Sequence, residues 1–201
     1  MFVSFEGVDG SGKSTQAEAL ADWLRKQERQ VVATREPGGT QLGERVRELL
    51  LDGKDMSPWA EAALFAAARA ELVERVIGPA LAGGAEVVCD RFLDSSLVYQ
   101  GIARGLGIER VLSLNLDAIR GILPDLTFLL LIDVDEAVKR SDGARDRIER
   151  EGDAFMTLVD NGYRQLAGLF PQRVIALQGD RPVHDIAEEV REHVQRRAGT
   201  A

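Results

Sequence analysis

Five short apolar runs punctuate the chain: FVSF at 2–5, VVAT at 31–34, EVVCD at 86–90, TFLLLID at 127–133 and RVIAL at 173–177. They lack the polar–apolar alternation of a strand with one wet face, so each predicts a strand buried on both sides. Between them the period changes. Ala17, Leu20, Ala21 and Leu24 recur at helical spacing within 13–28, and further helices are predicted at about 41–51, 59–82, 94–103, 109–122, 153–169 and 183–197. Strands alternating with helices in this way predict an α/β protein, a three-layer α/β/α sandwich around a five-stranded parallel sheet. Pro37, Pro58, Pro124, Pro171 and Pro182 fall at or near the predicted boundaries, whereas Pro79 lies inside the long 59–82 stretch, where it predicts a kink. Ligands of a parallel sheet sit beyond the carboxyl ends of its strands, which directs attention to Glu6, Arg35, Asp90, Asp133 and the residues after them.

Composition narrows the class. With 201 residues, 45 % of them apolar, and no linker-like tract, the chain is expected to form one domain over 1–201. No run of about 18 apolar residues occurs and the first residues lead straight into a strand, so neither a membrane span nor an export signal is expected, and the expected location is the cytoplasm. A formal charge of −8 without any basic tract argues against a nucleic acid polymer as partner. Local arginine clusters can still bind small phosphorylated ligands. Cys89, the only cysteine, sits in an apolar run and reads as a buried, reduced thiol. The only histidines, His184 and His193, fall in a charged C-terminal helix, which disfavours histidine acid–base catalysis and a histidine metal cluster.

The chemistry starts at EGVDGSGKST, 6–15, which has the GxxxxGKS/T spacing of a phosphate-binding loop between a strand pattern and a helix pattern. Gly7, Gly10 and Gly12 allow the loop formed by Gly7, Val8, Asp9, Gly10, Ser11, Gly12, Lys13, Ser14 and Thr15 to turn its N–H groups inward at a helix N-terminus, a seat for the phosphates of ATP. Lys13 is expected against the β- and γ-phosphates and the Ser14 hydroxyl on the Mg2+ that bridges them. This loop serves GTPases, partitioning ATPases, transporters and kinases alike. A guanine switch is disfavoured because neither Asn115 nor Asn161 is followed by lysine. A small phosphotransferase of P-loop kinase type is favoured by arginines at strand ends: Arg35 in REPGGT, beside Glu36, and Arg91 in DRF, each placed to clamp an acceptor phosphate. The segment SDGARDRIERE, 141–151, with Arg140, Arg145, Arg147 and Arg150, fits a lid that closes over a triphosphate. The same arginines also fit strand-end ion pairs and a solvated charged helix.

Taken in order, EGVDGSGKST, REPGGT, LFAAARAEL, DRFLDSSLVYQG and RIERE resemble the motifs of thymidylate kinases over essentially the whole chain. The resemblance implies transfer of the γ-phosphate of ATP to dTMP, giving dTDP, with Mg2+. It implies that Phe65 stacks on the base and Arg69, one turn later, reaches thymine O4, which suits a ring and a guanidinium sharing a helix face. Ala68 stands where the family usually has aspartate. Ser96 and Gln100 are implied on the pyrimidine edge, Arg47 at another base-side contact, and Tyr99 against the sugar, disfavouring a 2′-hydroxyl. Asp9 is implied to accept from the acceptor's 3′-hydroxyl and to help organise magnesium. Gly10 stands where some members carry an arginine, so catalytic charge is implied to come from the lid, from Arg147 first, beside Lys13 and Arg91. Asp146 and Glu149 are implied to help arrange magnesium or acceptor, and QGDRP, 178–182, to hold adenine. A homodimer is implied, packed through long helices, with the alanine-rich face of 60–73 as one surface able to supply the contact. A general base is unnecessary, because the attacking phosphate oxygen is already ionised near neutral pH.

Overall fold

A computed structural model of the protein describes residues 1–140 and 146–199. The five apolar runs become β1 (Phe2–Glu6), β2 (Val31–Arg35), β3 (Glu86–Asp90), β4 (Leu126–Leu131) and β5 (Val174–Gln178), in the order β2-β3-β1-β4-β5. Every neighbouring pair is parallel; Phe5, for example, lies opposite Asp90 on one side and Phe128 on the other.

Successive side chains of a strand point to opposite faces, and both faces here are apolar. Phe2, Val87, Cys89 and Leu129 face α3 (Pro58–Leu72), α6 (Ile108–Ile119) and α8 (Asp153–Leu169), meeting Leu72, Val111 and Val159. Val3, Phe5, Val88, Phe128 and Leu130 face α1 (Lys13–Arg25) and α9 (Val183–Ala198), meeting Leu20, Leu24, Val190 and Val194. The α/β/α sandwich expected from the sequence is therefore present. On α2 (Gln41–Leu51), Val46 and Leu50 pack on Ala68, which puts that alanine in an apolar contact. Thr40 and Ser57 cap α2 and α3, their hydroxyl oxygens accepting from the backbone N–H of Gly43 and Ala60.

The stretch expected as one helix at 59–82 is three pieces: α3, a π-helical turn Val73–Ile77, and α4 (Gly78–Ala82). Pro79 has no N–H to give the Arg75 carbonyl and its ring crowds that oxygen, and the widened turn immediately before it relieves the clash. The stretch at 94–103 is likewise α5 (Leu93–Ser96) followed by π-helical Leu97–Ala103, which carries Tyr99 and Gln100. After β4 come α7 (Val134–Arg140) and, beyond the undescribed residues, a 3₁₀ turn Glu149–Glu151. Among the described residues no helix is long and apolar enough to cross a membrane.

Candidate active site

The loop from Gly7 to Gly12 runs from β1 into α1 with its glycines in backbone conformations that side chains resist: φ is 142° at Gly7, 81° at Gly10 and 91° at Gly12. A Cβ on Gly10 would lie 2.1 Å from the Ala137 carbonyl oxygen, so the folded loop has no room for an arginine there. Gly12 caps α1, Lys13, Ser14 and Thr15 form its first turn, Val8 is in the core, and the resulting cleft of about 850 Å³ is lined by Asp9, Gly10, Lys13, Thr15, Arg47 and Arg140, among others. Arg140 Nη1 donates to the Gly179 carbonyl at 2.9 Å, tying α7 to the QGDRP loop.

Asp9 is the electrostatic centre of this cleft. Its Oδ1 accepts from Lys13 Nζ and from Arg91 Nη2, both at 2.7 Å. Burial alone would raise its pKa, but the Arg91 and Lys13 charges outweigh burial and hold the carboxyl well below the usual range. Arg91 sits at φ 68°, a left-handed conformation that costs a non-glycine residue energy and is maintained by its surroundings. Its Nη1 donates to Ser95 Oγ and to Tyr163 Oη, each at 3.1 Å, and its guanidinium stands 5.6 Å from the Tyr99 ring centroid.

Behind Arg91 lies Glu6, the fully buried last residue of β1. It accepts from the Phe92 N–H at 2.8 Å, from Ser95 Oγ and from Tyr163 Oη at 3.2 Å. Burial, reinforced by Asp94 and opposed by Arg91, pushes its pKa up to about 7. Glu6 thus fixes the same serine and tyrosine that fix Arg91.

The cation question turns on Ser14 and Asp90. Ser14 Oγ donates to Asp90 Oδ2, and Asp90 Oδ1 is buried with no hydrogen-bond partner among the described residues. A hydroxyl and a carboxylate at a phosphate cradle are hard oxygen donors, and no group of three or more His, Cys, Asp or Glu side chains is arranged to hold a metal among the described residues. This set fits Mg2+, which takes few protein ligands and completes its octahedron with phosphate and water.

A second cavity adjoins the first and shares Asp9, Arg47, Leu51 and Asp146 with it; Glu36, Phe65, Arg91, Ser96, Tyr99 and Gln100 complete much of its wall. The expected acceptor residues are thus brought together, with three differences. Arg35 does not line this cavity: it pairs with Glu44 at 3.2 Å on the α1 side of the sheet, because consecutive residues leaving an edge strand face opposite ways and Glu36 takes the inner position. Arg69 lies beneath the cavity, buried, with all five N–H groups engaged, by Glu36 Oε2 (2.8 and 2.6 Å), the Phe92 carbonyl, Ser96 Oγ and Asn115 Oδ1. Those bonds leave it no donor for a base carbonyl.

Arg147 is the third difference. The sequence suggests a mobile lid cation, yet Arg147 is buried, donating to Glu61 Oε2 at 2.6 Å and to the Leu50 carbonyl at 2.8 Å. A carboxylate already buried on α3 attracts the guanidinium away from solvent. Residues 141–145 of the expected lid, with Arg145, and the Glu149 side chain lie outside the described residues. Asp146 lines both cavities.

Glu6 and Asp90 stand in the sequence only as acidic strand ends and Ser95 only inside a longer motif, while Tyr163 and Glu61 belong to no local pattern.

The family model described as Thymidylate kinase matches residues 5–190. The chain is 48 % identical over 180 residues to a thymidylate kinase of Caldanaerobacter subterraneus subsp. tengcongensis, covering 89 % of this chain and 86 % of the relative. It is 47 % identical over 199 residues to one of Gloeobacter violaceus, covering 96 % and 94 %. Among solved structures, a crystal structure of thymidylate kinase from Ehrlichia chaffeensis superposes with a TM-score of 0.81 at 34 % identity, covering 97 % of this chain and 98 % of that one.

Proposed function

This chain belongs to the thymidylate kinase family and phosphorylates dTMP, and we propose that ATP is its donor, that Mg2+ assists, and that the two cavities joined at Asp9 hold the two nucleotides. The observation that supports this arrangement is the convergence of Lys13 and Arg91 on one oxygen of Asp9, at the boundary shared by cradle and acceptor cavity.

The inward N–H groups of Gly7–Thr15 and the Lys13 ammonium hold the donor's β- and γ-phosphates. Arg91 binds the acceptor phosphate and neutralises charge on the phosphoryl group as it crosses. Asp9 keeps both cations aimed at one point and accepts from the acceptor's 3′-hydroxyl. Ser14 and Asp90, with Asp9 nearby, would hold Mg2+, which when bound screens charge on the donor phosphates. Phe65 stacks on the base, Gln100 and Ser96 meet its edge, Arg47 adds a base-side contact and Tyr99 packs on the sugar. Glu36 acts in the wall of the acceptor cavity, Arg35 beside it reaches the acceptor phosphate on leaving Glu44, and Arg69 holds Glu36 and Ser96 in place from below. Arg147 serves the transfer on leaving Glu61; Arg140 is the lid-side cation already on the cleft.

The 201 residues act as one cytoplasmic domain with a lid at about 141–151. A homodimer is proposed through α3: Ala62, Ala66 and Ala68 are buried within the chain, but Ala60, Ala63 and Ala67 form an exposed stripe beside exposed Trp59, with exposed Leu116 on the neighbouring α6.

A coupled assay over dTMP, dUMP, UMP, dCMP and AMP tests the assignment. dTMP should have the highest kcat/KM; preference for UMP or AMP would overturn the acceptor assignment.

A further inference from the structure

Gln100 and Ser96 lie four residues apart in the wall of the acceptor cavity, and each is bonded from behind by a buried charged group. Glu61 Oε1 takes Gln100 Nε2 at 2.9 Å. Glu61 is itself buried and also accepts from Arg104 Nε at 3.1 Å, Arg104 Nη2 at 3.0 Å and Arg147 Nη2 at 2.6 Å. Its pKa is lowered: burial pushes it up, and the bonds from Arg104, Gln100 and Arg147 more than reverse that. An ionised carboxylate only accepts. The amide of Gln100 must therefore turn its NH2 to Glu61 and its oxygen toward the cavity, and this holds whichever way an amide is first drawn. The bond to Glu61 uses Nε2 alone, and among the described residues no donor is bonded to Gln100 Oε1.

Ser96 is fixed in the opposite sense. Arg69 Nη1 donates to Ser96 Oγ at 3.0 Å, and a guanidinium only donates. The hydroxyl hydrogen has to point elsewhere, and among the described residues no acceptor takes it. The cavity wall thus presents an acceptor at 100 and a donor at 96.

We propose that Glu61 is a specificity-determining residue that never touches substrate: by locking the Gln100 amide, with Arg69 locking Ser96, it makes the pocket accept an imide pyrimidine and reject an aminopyrimidine. Thymine and uracil offer N3–H and O4, a donor and an acceptor, which complement this wall. Cytosine offers an unprotonated N3 and a 4-amino group and is mismatched at both positions. The inference rests on the thymidylate reading of the acceptor cavity.

The test compares kcat/KM for dTMP and dCMP in wild type and in Glu61→Gln, whose amide can donate to Gln100 and let it flip. The dTMP-over-dCMP ratio should fall by about tenfold or more, the cost of one mismatched buried hydrogen bond, and Glu61→Asp should restore much of it. The ratio is independent of how much enzyme is folded, and a merely structural role would leave it unchanged. An unchanged ratio in an active Glu61→Gln enzyme overturns the proposal while leaving the acceptor assignment intact; a wild type that does not prefer dTMP to dCMP overturns that assignment instead. If Glu61→Gln does not fold, amide exchange by NMR decides in the wild type. The Gln100 side-chain NH2, identified by its loss in Gln100→Leu, should exchange slowly with or without dTMP. Protection that appears only when dTMP binds would turn the NH2 toward the base and contradict the proposal.

Discussion

Arg91 Nη2 and Asp9 Oδ1 are 2.7 Å apart, and the same oxygen holds Lys13. An acidic residue inside a loop that binds polyanions is thus a local counter-ion: it keeps two long cationic side chains parked at the boundary between two cavities before phosphate arrives. Removal of charge from Arg91 should cost transition-state stabilisation above all. Arg91→Ala should lower kcat about a thousandfold, toward the upper end seen when one preorganised donor is removed. Arg91→Lys should recover little of it, because an ammonium cannot serve Asp9, Ser95 and Tyr163 in one plane. Steady-state kinetics with dTMP and ATP checks both.

Glu6 supplies a pH prediction with two opposed signs. Its folded pKa, about 7, lies above its ordinary value of 4.5, so between those limits the folded protein binds a proton that the unfolded chain has lost. Its contribution to stability is therefore present at low pH and is lost as pH rises through about 7. The ionised form is the one able to accept from Phe92, Ser95 and Tyr163 together and so to hold Arg91. Relative to Glu6→Gln, the wild type should lose thermal stability and gain kcat over the same pH window. Parallel movement of the two would exclude this role for Glu6.

Ser14→Ala and Asp90→Asn should each raise the Mg2+ concentration for half-maximal activity by about tenfold or more, as expected for loss of a ligand or of the group that orients it. Magnesium titrations at saturating nucleotide measure this. Equal magnesium dependence in wild type and both variants would place the ion elsewhere.

Arg69→Met should act chiefly on stability. It strands Glu36, a buried carboxylate whose pKa burial already raises against the pull of Arg69, and the loss of one partner of a buried pair costs about 3–5 kcal/mol. Chemical denaturation would show it. A loss below about 1 kcal/mol would mean that Glu36 finds water or another partner.

Arg147→Ala should lower kcat more than it changes KM for dTMP, the pattern of a contact formed mainly in the transition state. An unchanged kcat would confine Arg147 to its ion pair with Glu61.

The sheet and the phosphate cradle were legible because their signals are local: an apolar run with no alternation, a glycine spacing, a lysine followed by serine. Gathering Arg91, Phe65, Ser96, Tyr99 and Gln100 into one wall needed the family's motif order as well. What escaped was pairing at long separation. Tyr163 meets Glu6 across 157 positions and Arg147 meets Glu61 across 86, and neither partner carries a pattern that announces the other. Arg35 and Arg69 are held away from the expected positions for a related reason. An arginine near phosphate chemistry looks like a ligand-binding cation until the buried carboxylate or sheet face that claims it is known.

The most direct test of the central claim, that Asp9 sets two cations at the junction of donor and acceptor, is the single-turnover rate of dTDP formation from dTMP and ATP in wild type and Asp9→Asn. The wild type should form dTDP and ADP in equal amounts, and Asp9→Asn should slow the transfer step about a hundredfold or more with both nucleotides still binding. A wild type that makes no dTDP, or an Asp9→Asn protein that transfers at the wild-type rate, would contradict it.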